Sequence, residues 1–100
     1  GVPVALATDF NPGSCPSFNM QFIISLACKE MKMTIEEAIT SATLNSAYAI
    51  DRAKYIGSLE KGKQADIIIL DIDNPWKIPY HFGGNLVTTV IKNGELIWKL

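Results

Sequence analysis

The chain has 100 residues, 48% of them hydrophobic and 19% charged, with a formal net charge of −1. That length holds one small domain at most, and the composition is globular rather than disordered. A nearly balanced charge without long like-sign runs argues against nucleic acid or an anionic membrane surface as a partner.

Two cysteines, Cys15 and Cys28, stand in no Cys-x-x-Cys spacing and make no disulfide framework. Reduced thiols in a cytoplasmic protein are the plain reading, with a bridge between the two left open. No apolar stretch is long enough to span a bilayer, and no signal peptide is visible. The chain opens on Gly1 rather than Met, so its true N-terminus is expected elsewhere.

Val4-Ala5-Leu6-Ala7 is a continuous apolar run and predicts a strand buried on both faces, as in a parallel sheet under helices. It runs into Asp9 and the breaker cluster Asn11-Pro12-Gly13-Ser14. Ser17–Met31 predicts a helix with an apolar face of Phe18, Phe22, Ile23, Leu26, Ala27 and Met31, widened by Met20 and Ile24. Thr34-Ile35-Glu36-Glu37 is a capping box that opens a second helix, with Ile35, Ala38, Ile39 and Ala42 inward. Thr43 is placed to cap a third segment, Leu44 to Ile50, with Leu44, Ala47 and Tyr48 inward; a kink is the alternative.

Asp51 to Lys63 is polar and turn-rich. Ala65 to Leu70 is a β-branched run and predicts a strand that ends at Asp73-Asn74-Pro75. Trp76 to Asn85 reads as irregular. Val87 to Lys92, Asn93-Gly94 and Glu95 to Trp98 make a hairpin, because Asn-Gly accepts the positive φ angles of a type I′ turn. The order is strand, helix, helix pair and three strands. A lone parallel-type strand needs neighbours on both sides. The expectation is therefore the C-terminal piece of something larger, with a self-completing dimer as the second possibility.

Four features carry a resemblance: the apolar strand ending in Asp9, the Thr34-capped helix pair, Gly57-Ser58-Leu59-Glu60-Lys61-Gly62-Lys63-Gln64-Ala65-Asp66, and Val90 to Gly94. Together they resemble the C-terminal end of the amidohydrolase superfamily. Thr8-Asp9-Phe10-Asn11-Pro12-Gly13-Ser14-Cys15 and Pro79-Tyr80-His81-Phe82-Gly83 are similar, within it, to the imidazolonepropionases. The resemblance implies an α/β fold: the last strand and helices of a metal-dependent (β/α)8 barrel over residues 1–55, then strands of a small composite β-sandwich domain over 56–100. It implies that Asp9, at the end of the eighth strand, binds one Zn or Fe ion and handles a proton. The ion acidifies a water, which would attack the ring amide of 4-imidazolone-5-propanoate and yield N-formimino-L-glutamate. It implies substrate contacts from Asn11, Gly13 and Ser14.

Each position has a plainer reading beside that one. Asp9, Asn11, Gly13 and Ser14 are also turn-formers. His81 is the only histidine and reads as structural, since zinc takes several protein ligands. Cys15 reads as a bystander, and Lys61 and Lys63 as a solvated turn. The family's remaining metal and substrate residues have no counterpart in these 100 residues, so the isolated chain is expected to be inactive. The intact enzyme is expected to be a cytoplasmic homo-oligomer acting on a small molecule, with no nucleic acid or membrane partner. Two alternatives stand: another cyclic amidase or deaminase of the superfamily, and a non-catalytic, self-associating α/β module.

Overall fold

Backbone groups that leave water must find partners, and Val4–Ala7 finds them among helices. In the computed structural model, which describes residues 1–100, this run joins no sheet. The Leu6 N–H donates to the Ser41 carbonyl at 3.0 Å. Asn45 Nδ2 donates to the Val4 carbonyl at 2.9 Å and Ser46 Oγ to the Leu6 carbonyl at 2.8 Å. The expected strand is thus corrected: no neighbouring strand lies along it, and side chains take over part of the ladder. Leu6, 8% exposed, forms a small core with Ala27 and Ala38, ringed by Met20, Ile23, Ile24, Cys28, Met33 and Ala42.

Helix α1 runs Met20–Glu30, later than Ser17 because Asn19 takes the cap. Asn19 Oδ1 accepts from the N–H groups of Gln21 at 3.0 Å and Phe22 at 3.3 Å, satisfying first-turn donors that have no helical partner. The buried residues of α1 are Ser25 and Ala27, whereas Phe18 is 79% and Met31 55% exposed. The expected apolar face is corrected accordingly. Helix α1 packs against residues Ile35–Ala42 and Lys77–Tyr80, which leaves Phe18 and Met31 mostly open.

Helix α2, Ile35–Ala42, starts at the expected residue, with one half of the capping box formed: Thr34 Oγ1 accepts the Glu37 N–H at 3.1 Å. Ile35 and Ala38 are fully buried. Helix α3, Leu44–Ala49, follows after a break at Thr43. Thr43 does not cap it; its hydroxyl donates back to the Ile39 carbonyl at 2.7 Å, the local bond that competes with capping in threonine. Ala47 is buried, but Tyr48 is 70% exposed rather than inward.

Gly57, with φ +98°, lets the chain pass against α3, where an added Cβ would stand 2.7 Å from the Ala47 Cβ. Strands β1 (Ile67–Leu70), β2 (Val87–Lys92) and β3 (Glu95–Lys99) form an antiparallel sheet in that order. Asn93 and Gly94 have φ +51° and +81°, both positive as a type I′ turn requires. The stretch read as irregular contains a short helix, α4 (Lys77–Tyr80). Asn74 turns the chain just before it, its Oδ1 accepting the Trp76 N–H at 2.9 Å and its carbonyl the Lys77 N–H at 3.0 Å.

Polar side chains of α1 bind this second half. Ser25 Oγ lies 3.2 Å from the Ile78 carbonyl, and Gln21 spans to Asn85 Oδ1 and the Leu86 N–H, each at 2.9 Å. The sheet itself is a single layer. Ile68, Ile69, Leu96 and Ile97 are each at least half exposed, and as consecutive pairs along their strands they leave apolar side chains open on both faces of the sheet.

Candidate active-site loop

Residues 9–15 form a closed polar loop. Asp9 has φ +51°, the left-handed region that Asp and Asn enter more readily than other residues with a Cβ. Its carboxylate is exposed and makes no hydrogen bond within the chain. Asn11 organises the rest of the loop. Its Nδ2 donates to the Asp9 carbonyl at 2.6 Å and to Ser14 Oγ at 3.2 Å. Its Oδ1 accepts the N–H groups of Gly13 and Ser14, both at 2.8 Å. Its own N–H donates to the Cys15 carbonyl at 2.9 Å, closing an isolated antiparallel bridge. Phe10 and Phe18 meet edge to face, centroids 5.7 Å apart, where the loop leads toward α1.

The loop therefore brings Asp9, Asn11, Gly13 and Ser14 together. An added Cβ at Gly13 would sit 3.3 Å from Asn11 Oδ1, so glycine leaves that approach uncrowded. The reach of the Asn11 side chain back to Asp9 is what residue-by-residue reading missed; an Asn two residues after an Asp is its only sequence signal.

These residues do not complete a metal centre. No group of three His, Cys, Asp or Glu side chains comes together, and Asp9 supplies a single carboxylate. A free carboxylate at a loop rim fits one ligand of a hard or borderline ion, with the other ligands drawn from outside these residues. His81 packs edge to face on Tyr80 at 4.8 Å, and its N–H donates to the Lys77 carbonyl at 2.9 Å, ending α4. Both cysteines are unpaired. Burial pushes the Cys28 thiol up, Glu36 adds to this and Lys29 opposes it. Lys63 is corrected from a solvated residue: its side chain is 13% exposed and bonds Glu60 at 3.0 Å and Ser58 Oγ at 2.7 Å. Ser58 first, and then Lys63, hold the Glu60 carboxyl below its ordinary value.

A concavity of about 770 Å³ lies elsewhere, between α2–α3 and residues 56–68, and is lined by Ile39, Leu44, Ala47, Ile50, Ile56 and Leu59 among others. Asp66 is the one ionisable group on its wall. Thr40, Thr43, Ser46, Ser58 and Gln64 add polar groups to an otherwise apolar lining.

A mixed helix–sheet chain with this loop is matched by the model of the amidohydrolase family over residues 1–97, and the chain belongs to that family. Solved structures show the same fold. An amidohydrolase from Thermotoga maritima superposes with a TM-score of 0.76 at 24% identity, over 100% of this chain and 24% of that one. Guanine deaminase from E. coli does so with 0.75 at 22%, over 99% of this chain and 28% of that one. Within the family, the sequence is 58% identical over 97 residues to the imidazolonepropionase of Alkaliphilus oremlandii and 52% over 97 residues to that of Geobacillus kaustophilus. Each match covers 97% of this chain but 23% of the relative's length.

Proposed function

We propose that these residues are the C-terminal part of a metal-dependent hydrolase that opens the ring amide of 4-imidazolone-5-propanoate to N-formimino-L-glutamate. The observation that carries the reading is 58% identity to an imidazolonepropionase along 97% of the chain. In this reading residues 1–55 end a (β/α)8 barrel and residues 56–100 contribute strands to a small β-sandwich domain. The uncovered apolar faces of α1 and of the sheet support that division, since both are built to be packed against further chain.

Asp9 is the catalytic residue and one ligand of a Zn or Fe ion. The ion's contribution, when bound, is a water acidic enough to react near neutral pH. Asp9 would hold such an ion through its carboxylate, and that carboxylate would also accept the proton of a water whose oxygen bonds to the ring carbonyl carbon, then pass the proton to the ring nitrogen as the C–N bond breaks. Asn11, Gly13 and Ser14 form the loop that holds the substrate. The exposed Ser14 hydroxyl is a donor suited to an anionic or carbonyl oxygen, while the N–H groups of Gly13 and Ser14 are taken up by Asn11 Oδ1. The protein acts in the cytoplasm as a homo-oligomer.

The test is a substrate panel on the full-length protein: imidazolone propanoate, guanine and other cyclic amides. Turnover of imidazolone propanoate above the rest supports the reading. Preference for guanine or another ring would replace it with a different amidohydrolase activity. Residues 1–100 alone are expected to give no turnover, and metal-dependent hydrolysis by that fragment would overturn the division of the site.

A further inference from the structure

We propose that the outer side of residues 76–82 is the surface on which a second copy of this chain docks; the inference rests on the homo-oligomer of the reading above and names its interface. Residues 76–86 lie along one stripe of α1. Gln21, Ser25 and Lys29, each one turn further on, meet Asn85 and Leu86, then the Ile78 carbonyl, then the Phe82 ring, with Lys29 Nζ 5.1 Å from its centroid. Ile78 and Pro79 are buried. Trp76, Tyr80 and Phe82 are each more than half exposed. Residues four apart share one face of a helix, so α4 buries one side and opens Trp76 and Tyr80 on the other.

Place, charge and area select a second copy as the occupant. Met20, Ile23, Ile24, Ala27 and Cys28 of α1 belong to the Leu6 core. At 3.6 residues per turn their stripe lies roughly 130° around the helix from that of Gln21, Ser25 and Lys29. In the hydrolase reading the rest of the polypeptide completes a barrel about Val4–Ala7, with the helices as its outer ring. That chain packs on the Leu6 side of α1, and residues 76–82 stay outside. The charges beside the rings come in both signs: Asp73 pairs with Lys77 at 2.7 Å, and Glu30 follows Lys29. A surface that meets its own copy must be self-complementary, whereas a rim of one sign would repel itself. An aromatic side chain buries about 150–250 Å², so three partly open rings on each of two copies supply roughly 500–900 Å² of the about 1,200–2,000 Å² that a stable interface removes from water. The rings form the centre of such an interface and the paired charges its rim.

The experiment compares full-length wild type with Trp76→Ser/Tyr80→Ser by sedimentation velocity over a range of concentrations. Ile78 and Pro79, which seat the segment on α1, are left in place. Truncating a central Trp or Tyr costs about tenfold or more in affinity, so the dissociation constant of the dimer is expected to rise about a hundredfold or more. At a concentration too low for wild type to associate, the two melting temperatures are expected to agree within a few degrees. Amide exchange across residues 76–86 of the wild type, which needs no variant to fold, is expected to slow as the dimer forms.

An unchanged dissociation constant, or wild-type exchange in residues 76–86 that ignores concentration, overturns the proposal and gives the homo-oligomer another surface. A variant that melts far below wild type at low concentration, with that same indifferent exchange, assigns the rings to the remainder of their own chain and overturns it too. A wild type that stays monomeric removes the proposal and the homo-oligomer together. Turnover by the same samples decides the hydrolase reading separately.

Discussion

The carboxylate of Asp66 accepts the main-chain N–H of Asn93 at 2.9 Å, so a residue preceding β1 pins the tip of the β2–β3 hairpin. Gln64 Nε2 and Lys92 Nζ complete its partners at 3.0 Å, and the Gly94 N–H donates to the Ala65 carbonyl at 2.9 Å beside it. The Asn-Gly turn is thus held by two adjacent residues of another strand's approach, and not by its own dihedral preference alone.

Those bonds hold the Asp66 carboxyl well below its ordinary value, to about 2, with Gln64 the largest cause, the Asn93 N–H next and Lys92 after it, against an opposing effect of burial. A carboxylate whose pKa falls on folding stabilises the fold above its unfolded pKa, near 4, and loses that contribution as pH drops through the folded value. Amide hydrogen exchange at Asn93 and Gly94 is therefore expected to quicken, relative to the rest of the sheet, between about pH 4 and pH 2. Asp66→Ala is expected to show the faster exchange already at neutral pH, with no further step in that window. Equal protection in variant and wild type would remove Asp66 from the turn.

Gly57 and Gly62 both have positive φ, +98° and +92°, but only Gly57 is crowded, with Ala47 Cβ 2.7 Å from an added Cβ. Gly62→Ala is expected to cost about 1 kcal/mol from the backbone alone. Gly57→Ala carries that strain plus overpacking and is expected to cost about 2–4 kcal/mol in chemical denaturation of the full-length protein. Equal effects at the two sites would show that α3 yields to the new methyl group.

Ser25 is 1% exposed, and its hydroxyl lies 3.0 Å from the Gln21 carbonyl and 3.2 Å from the Ile78 carbonyl. Ser25→Ala removes the donor facing Ile78 and leaves that carbonyl without its side-chain partner. A loss of about 1–2 kcal/mol is expected. Limited proteolysis is expected to open first in residues 76–86, which α1 holds through Ser25 and Gln21.

Asp9→Asn tests the proposed catalytic carboxylate. Its side chain bonds nothing within the chain, so the melting temperature is expected to stay within a degree or two of wild type. Turnover of the full-length protein is expected to fall by more than about a hundredfold, with bound metal reduced. A variant that keeps its rate would return Asp9 to the role of a turn residue.

Local chemistry was legible residue by residue. Thr34 caps α2 because its hydroxyl and the Glu37 N–H lie within one turn of each other. Asn93-Gly94 makes its hairpin because both residues tolerate positive φ. The phrase Gly57 to Asp66 and the loop Thr8 to Cys15 were enough to point to the amidohydrolase family, which the family match over residues 1–97 shows. The Asn11-Pro12-Gly13-Ser14 cluster was legible as a turn and as a site rim, and its geometry contains the turn.

Features that depend on distant chain were not legible. Periodicity marks α1 as apolar on several sides, but the positions of α2 and α4 decide that Ser25 and Ala27 are covered while Phe18 and Met31 are open. Val4–Ala7 reads as a buried strand, yet a strand exists only where a neighbour completes its ladder, and here Ser41, Asn45 and Ser46 take up its groups. Lys63 reads as solvated until Ser58 and Glu60 fold over it. By itself the sequence determined caps, turns and family, because those depend on groups a few bonds apart; only the tertiary structure decided burial, pairing and the partners of Asn11, because those depend on which surfaces the folded chain brings together.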